Sequence, residues 1–290
     1  MKNPKISLAY LKTTSARKLA RLKSRAFPIF APLKYAGRKS RPLRIEVITM
    51  MYNEAILAPL FVRHYAPWVD KITVFYSESA DGTRRELETA AAQCGVKSLD
   101  IVPFEFPGGF DDNRKIARIN KAVWNSSASF AVCVDADEFV HPWPFASTNP
   151  RDTLEKETSD VVRCEMFQMY RHAADADLDP AKPPLFQRRH GDPDVHKHYT
   201  KPCIVRPDCG AQFSRGCHRL LAPKQTSSTI WRGVHWGKAD NFSLMRYVRD
   251  RRDRLSEVNR LLGFGTHISG TTEEHILAEL KAHESDPQLF

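Results

Sequence analysis

The chain has 290 residues, 42% hydrophobic and 27% charged, an ordinary balance for a globular protein of one large domain or two small ones. Its formal net charge of +10 is confined to one end: residues 1–44 hold seven Lys, six Arg and no acid, whereas residues 45–290 hold 31 basic against 34 acidic side chains. The charge therefore belongs to no folded face, which argues against nucleic acid as a partner, and no apolar run approaches the roughly eighteen residues of a bilayer-spanning helix.

Residues 1–43 mix Lys and Arg with Ser, Thr, Pro and isolated apolar residues such as Ile6, Leu8, Leu11, Leu19 and Leu22. Three readings fit that composition. A basic amphipathic helix would lie on an anionic membrane surface, each nearby Lys or Arg contributing about 1 kcal/mol. A disordered solubilising tail and an organellar transit peptide have similar compositions. The segment lacks the uninterrupted apolar core of a secretory signal, so the expected location is the cytoplasm, with peripheral contact at the inner face of the membrane through this arm as one reading.

The fold proper is expected to start at Arg44–Met50, a β-branched run typical of a buried strand. Asn53 is placed to cap the following helix, which carries Ile56, Leu57, Leu60 and Phe61, with Glu54 in its first turn. Lys71–Tyr76 reads as a second strand. Thr83 and Glu86 have capping-box spacing and open a helix through Ala92 that stops at Gly95. A third strand spans Ser98–Phe104, and Ile116, Ile119, Ala122 and Val123 form the apolar stripe of a helix over Asn113–Trp124. The alternation of strands and helices implies an α/β fold, Rossmann-like, in three layers around a mostly parallel sheet.

The stretch Ser129–Val140 follows. It opens as a buried strand and ends in Asp135, Asp137 and Glu138. In an extended segment Asp135 and Asp137 would face the same way with Cα atoms roughly 6 to 7 Å apart. Two such charges repel by roughly 3 kcal/mol at an effective dielectric near 20, a penalty that Mg²⁺ or Mn²⁺ would remove. Beyond Pro142 the pattern loosens. A strand is expected over Asp160–Phe167, a long functional loop over residues 171–200, a strand over Thr229–Trp236 and an arginine-rich helix over about Asn241–Leu262. A last helix follows a capping box at Thr271–Glu274 and ends near Glu284. The group Cys203, Cys209 and Cys217, with His190, His196, His198 and His218 nearby, matches no common zinc spacing.

Four segments together resemble the family 2 glycosyltransferases: Val47–Glu54 (VITMMYNE), Ser77–Thr83 (SESADGT), Val134–Phe139 (VDADEF) and Arg249–His267 (RDRRDRLSEVNRLLGFGTH). The likeness is to the bacterial branch whose metal motif reads D-x-D-E-F, in order and spacing across residues 45–267. It implies a GT-A-type nucleotide-sugar domain, with Asn53, Glu54, Ser79 and Asp81 lining the nucleotide, and Asp135 and Asp137 holding Mn²⁺ or Mg²⁺ on the donor diphosphate. A histidine from the second half would complete the metal shell, His235 first and His218 second. The donor would be a nucleoside-diphosphate sugar, UDP-sugar favoured, and the acceptor a glycan or glycolipid, with inversion at the transferred carbon. Glu165, Asp192 and Asp194 are the carboxylates open to the role of catalytic base.

The same resemblance divides the chain into a nucleotide-binding half (44–142), an acceptor half (143–240), an arginine-rich helix (241–267) and a C-terminal helix and tail (268–290). Two other functions compete. A haloacid-dehalogenase-like phosphatase also ends an apolar strand in Asp-x-Asp, but three strands precede the motif here and Glu138 follows it. A non-catalytic, membrane-associated binding module would depend on residues 1–43 and be indifferent to Asp137.

Overall fold

A computed structural model describes residues 42–192, 200–221, 226–237, 239–240, 254–262 and 272–289. The first half alternates β1 (Ile45–Met51), α1 (Leu57–Tyr65), β2 (Lys71–Tyr76), α2 (Thr83–Gln93), β3 (Leu99–Pro103), α3 (Asp112–Asn125) and β4 (Phe130–Cys133). Each strand leads to the next through a helix, and the pairings are parallel: β1 with β2, β1 with β4, and β2 with β3.

The second half contributes β5 (Glu138–His141), α4 (Pro150–Glu155), β6 (Val161–Gln168), β7 (Thr200–Val205), β8 (Thr226–His235), α5 (Glu257–Leu262) and α6 (Glu273–Ala282). All eight strands form one sheet in the order β3-β2-β1-β4-β7-β6-β8-β5. β7 is antiparallel to both β4 and β6, and β5 is antiparallel to β8, while β6 and β8 run parallel. The carboxyl ends of β1, β2, β4, β6 and β8 therefore share one edge, where ligands of open α/β sheets bind.

Residues of β1 alternate between the two faces. Ile45 and Val47 pack with Leu60, Phe61 and Leu87 of α1 and α2, whereas Ile48 packs with Ile116, Ile119 and Val123 of α3. Helices thus cover both sides of the sheet, and burying a side chain such as Phe61 stabilises the fold by roughly 1.5–3 kcal/mol. This is the expected three-layer α/β arrangement.

Several local expectations are corrected. Asn53 does not cap α1: it adopts φ 51°, and its side-chain oxygen accepts a hydrogen bond from the Ala80 amide instead. The helix starts four residues later, at Leu57. The Thr83–Glu86 capping box does not form either, because the Thr83 hydroxyl turns back to Asp81 and to the Glu54 amide. α6 is capped by Thr272, one residue beyond the expected position, through a hydrogen bond from the His275 amide. β5, β7 and α4 had no distinct signal in the sequence. Of the predicted arginine-rich helix, residues 241–253 lie outside the described residues, as does the arm over 1–41.

The described part of the 171–200 loop is organised by Arg188, which is 1% exposed. Its guanidinium donates to the carbonyls of Ala176 and Gln187 and to the Asp240 carboxylate. The chain's last described residues brace the same loop: the Gly191 amide donates to the Pro287 carbonyl, and the Leu289 amide to the Arg189 carbonyl.

Candidate active site

Two loops at the carboxyl edge are laced to one another. The Asn53 amide donates to Ser79 Oγ, and the Ala55 amide to Asp81 Oδ2 at 3.0 Å. Asp81 Oδ1 accepts from the Thr83 amide and hydroxyl, and Thr83 Oγ1 in turn accepts from the Glu54 amide. The structure brings together all four residues assigned to the nucleotide, and each also holds the β1–α1 loop against the β2–α2 loop. Glu54 is buried. Beside them the Arg254 guanidinium stacks on the Tyr52 ring, 3.1 Å from its centroid.

Asp135 and Asp137 stand in a tight turn beyond β4, closed by the Glu138 amide donating to the Asp135 carbonyl at 3.1 Å. The extended geometry expected of the pair does not occur, and its two carboxylates meet different partners. Asp135 accepts from Lys115 of α3 and lies 3.8 Å from Lys201 of β7. Burial works to raise its pKa, but the two ammoniums outweigh that and hold it well below the usual carboxylate range. The relief of repulsion assigned to a divalent cation is supplied to Asp135 by lysines. Lys201 itself is buried and pairs with the buried Glu138 at 2.6 and 2.8 Å.

Asp137 is fully buried and faces His235, with Oδ2 3.3 Å from Nε2. The β5–β8 register sets Glu138 opposite His235, so the residue before β5 meets the imidazole at the end of β8. His235 Nδ1 lies 2.7 Å from Oε1 of Gln168, the last residue of β6. Gly237 closes the third side: a Cβ there would sit 2.9 Å from the His235 ring and 3.3 Å from Asp137 Oδ2.

The other candidates separate. Glu165 lies three residues before Gln168, about 10 Å back along β6, with its carboxylate 4.0 Å from Arg232. Asp192 is brought to the edge, its amide donating to the Gln168 carbonyl at 3.2 Å. Asp194, His196 and His198 lie outside the described residues. His218 is exposed and stands on the Asp135 side, within electrostatic reach of Lys201 and Lys115. Among the described residues no three His, Cys, Asp or Glu side chains converge as metal ligands, the cysteine-rich stretch included.

Sequence reasoning missed Lys115, Lys201, Gln168 and Gly237. A lone lysine inside the apolar run of β7 was a usable signal, since an interior ammonium needs a carboxylate. Gln168 and Gly237 carried none, because their roles depend on strand register.

The donor set fits a hard divalent cation. The carboxylate oxygen suits Mn²⁺ or Mg²⁺, the imidazole nitrogen 3.3 Å away favours Mn²⁺ of the two, and the glycine at position 237 leaves space that a Cβ would fill. Two protein ligands are enough where substrate phosphates supply others.

No protein-family model and no curated protein matches the sequence. Among solved structures, S. aureus TarS is similar at 16% identity and TM-score 0.38, over 83% of this chain and 43% of that one, so this chain spans less than half the length of TarS. TarS 1–349 in complex with UDP-GlcNAc is similar at 17% identity and TM-score 0.40, over 82% of this chain and 72% of that one. The mannosyltransferase PcManGT from Pyrobaculum calidifontis, in complex with GDP-Man and Mn²⁺, is similar at 15% identity and TM-score 0.39, over 94% and 79%.

Proposed function

We propose that the chain is a metal-dependent glycosyltransferase that moves a sugar from a nucleoside-diphosphate sugar, UDP-sugar favoured, to a glycan or glycolipid acceptor with inversion. The observation that carries this reading is the meeting, at one sheet edge, of the laced Asn53–Asp81 loops with the turn bearing Asp135 and Asp137 and with His235. The order of motifs in the sequence supports it.

In this reading the Asn53, Glu54, Ser79 and Asp81 loops receive the nucleoside. Asp137 and His235 would hold the cation, Mn²⁺ or Mg²⁺. When bound, the cation supplies Lewis-acid stabilisation of the departing diphosphate. Lys115 and Lys201 keep Asp135 ionised and fixed, so its carboxylate is an oriented acceptor for the donor's hydroxyl groups. Asp192, whose amide is tied to Gln168 at the edge, is the base that takes the acceptor proton. The basic arm over residues 1–43 gives a peripheral contact with anionic lipid. No helix among the described residues is long and apolar enough to cross a membrane.

The test is a screen of nucleotide-sugars for metal-dependent hydrolysis by the full chain, with calorimetric titration of UDP in the presence and absence of Mn²⁺. Hydrolysis of one donor that disappears in Asp137→Ala supports the reading. Phosphate release from a generic monoester without nucleotide-sugar hydrolysis would replace it with a phosphatase, and UDP binding indifferent to Asp137→Ala would replace it with a binding module.

A further inference from the structure

Gln168 is the last residue of β6 and pairs in register with His235. The orientation of its side-chain amide follows from its surroundings. Nε2 lies 3.0 Å from the His235 carbonyl oxygen and 3.2 Å from the Met169 carbonyl oxygen, two acceptors that only an N–H can face. Turning the amide over would set oxygen against both. The atom 2.7 Å from His235 Nδ1 is therefore Oε1, which has no proton to give.

Nδ1 must then carry the hydrogen. A neutral imidazole has one N–H, so Nε2 keeps its lone pair, and that lone pair faces Asp137 Oδ2 at 3.3 Å. Two electron-rich atoms so close call for a positive group beside them, and a divalent cation is one that both can hold at once. The Gly237 backbone, against both side chains, keeps them there.

We infer that Gln168 is a positioning residue: by accepting from Nδ1 it commits neutral His235 to the tautomer whose Nε2, together with Asp137 Oδ2, receives a divalent cation. The inference rests on the metal-dependent reading above and assigns the residue that orients one ligand. Partners of this kind typically change metal affinity by about tenfold to a hundredfold when removed.

The test uses the full chain with Mn²⁺ as the probe. Long-range proton–nitrogen spectra of nitrogen-15 histidine, recorded without metal above pH 8, report the tautomer, and the His235 signal is identified by its loss in His235→Asn. The expected result is Nδ1–H in the wild type and its loss in Gln168→Met, with Nδ1–H retained in Gln168→Glu, which keeps an oxygen at that place. Electron paramagnetic resonance of free Mn²⁺ is expected to show weaker binding in Gln168→Met by about tenfold to a hundredfold. A wild-type His235 protonated on Nε2 overturns the inference even if Gln168→Met proves unfolded. So does a folded Gln168→Met with wild-type tautomer and Mn²⁺ affinity, and if His235→Asn still loses Mn²⁺ the metal reading survives. Equal Mn²⁺ behaviour of wild type and His235→Asn removes the metal reading and this inference with it.

Discussion

Lys201 gives its ammonium to both oxygens of Glu138, at 2.6 and 2.8 Å, with each side chain only 1% exposed. The pair ties β7 to the residue that opens β5 and so fixes the turn carrying Asp135 and Asp137. Lys201→Met leaves Glu138 as a buried charge without its ammonium. Urea unfolding is expected to show a loss of about 3–5 kcal/mol, most of it recovered in Lys201→Met/Glu138→Leu, since removing both charges is far less costly than removing one.

Asp137→Asn keeps the shape of the side chain and removes its charge. Its fold is expected to survive, by circular dichroism, while Mn²⁺-dependent UDP binding is lost and donor turnover falls by at least about a hundredfold, the scale of a lost electrostatic stabiliser. Calorimetry and a donor-hydrolysis assay read the two effects separately.

Gly237→Ala places a methyl group 2.9 Å from the His235 ring and 3.3 Å from Asp137 Oδ2. The imidazole or the carboxylate must shift. The Mn²⁺ concentration giving half-maximal activity is expected to rise about tenfold, the lower end of what misorienting a ligand costs. An unchanged metal titration would show that the two donors do not act as a pair.

Asp81→Ala removes the acceptor of the Ala55 and Thr83 amides and of the Thr83 hydroxyl. Loss of a carboxylate that satisfies the amide at a helix start costs about 1–2 kcal/mol. Denaturant midpoints should register that loss, and the KM for donor should rise more than kcat falls, because the loops it laces are those assigned to the nucleoside.

Acid stability should carry the mark of His64. Burial, with help from nearby His141, lowers its pKa from 6.5 to about 3, and its Nε2–H donates to the Val140 carbonyl at 3.0 Å. The unfolded chain protonates this histidine near pH 6.5 and the folded chain does not. The stability present above 6.5 is lost as pH falls toward 3. By pH 5 the loss is about 2 kcal/mol relative to pH 7.5. The difference between wild type and His64→Gln in urea titrations at the two pH values isolates it.

The fold was legible where one strand or helix carried its own signal. Lys71–Tyr76 has matching bounds in sequence and structure, and Ile116, Ile119 and Val123 face the core as their spacing predicted. The short strands β5 and β7 were not, because four to six residues in the company of Pro, Lys and Cys hold too little periodicity. Caps failed at Asn53 and Thr83 for a shared reason: each side-chain oxygen accepts an amide from the opposite loop, Ala80 for Asn53 and Glu54 for Thr83, a tertiary bond that overrides local preference. At the site the types of residue were visible and the partition was not. Which aspartate meets lysines and which meets His235 depends on register between strands that are distant in sequence.

Gly191 is pressed between Gln168 and Leu289, so closely that a Cβ there would stand 3.0 Å from the leucine and nearer still to the Gln168 carbonyl. Position 289 thus supports the residue behind the imidazole from more than a hundred positions further along the chain. A chain cut short before that leucine would leave Gly191, and the Gln168 carbonyl it lies against, open on one side.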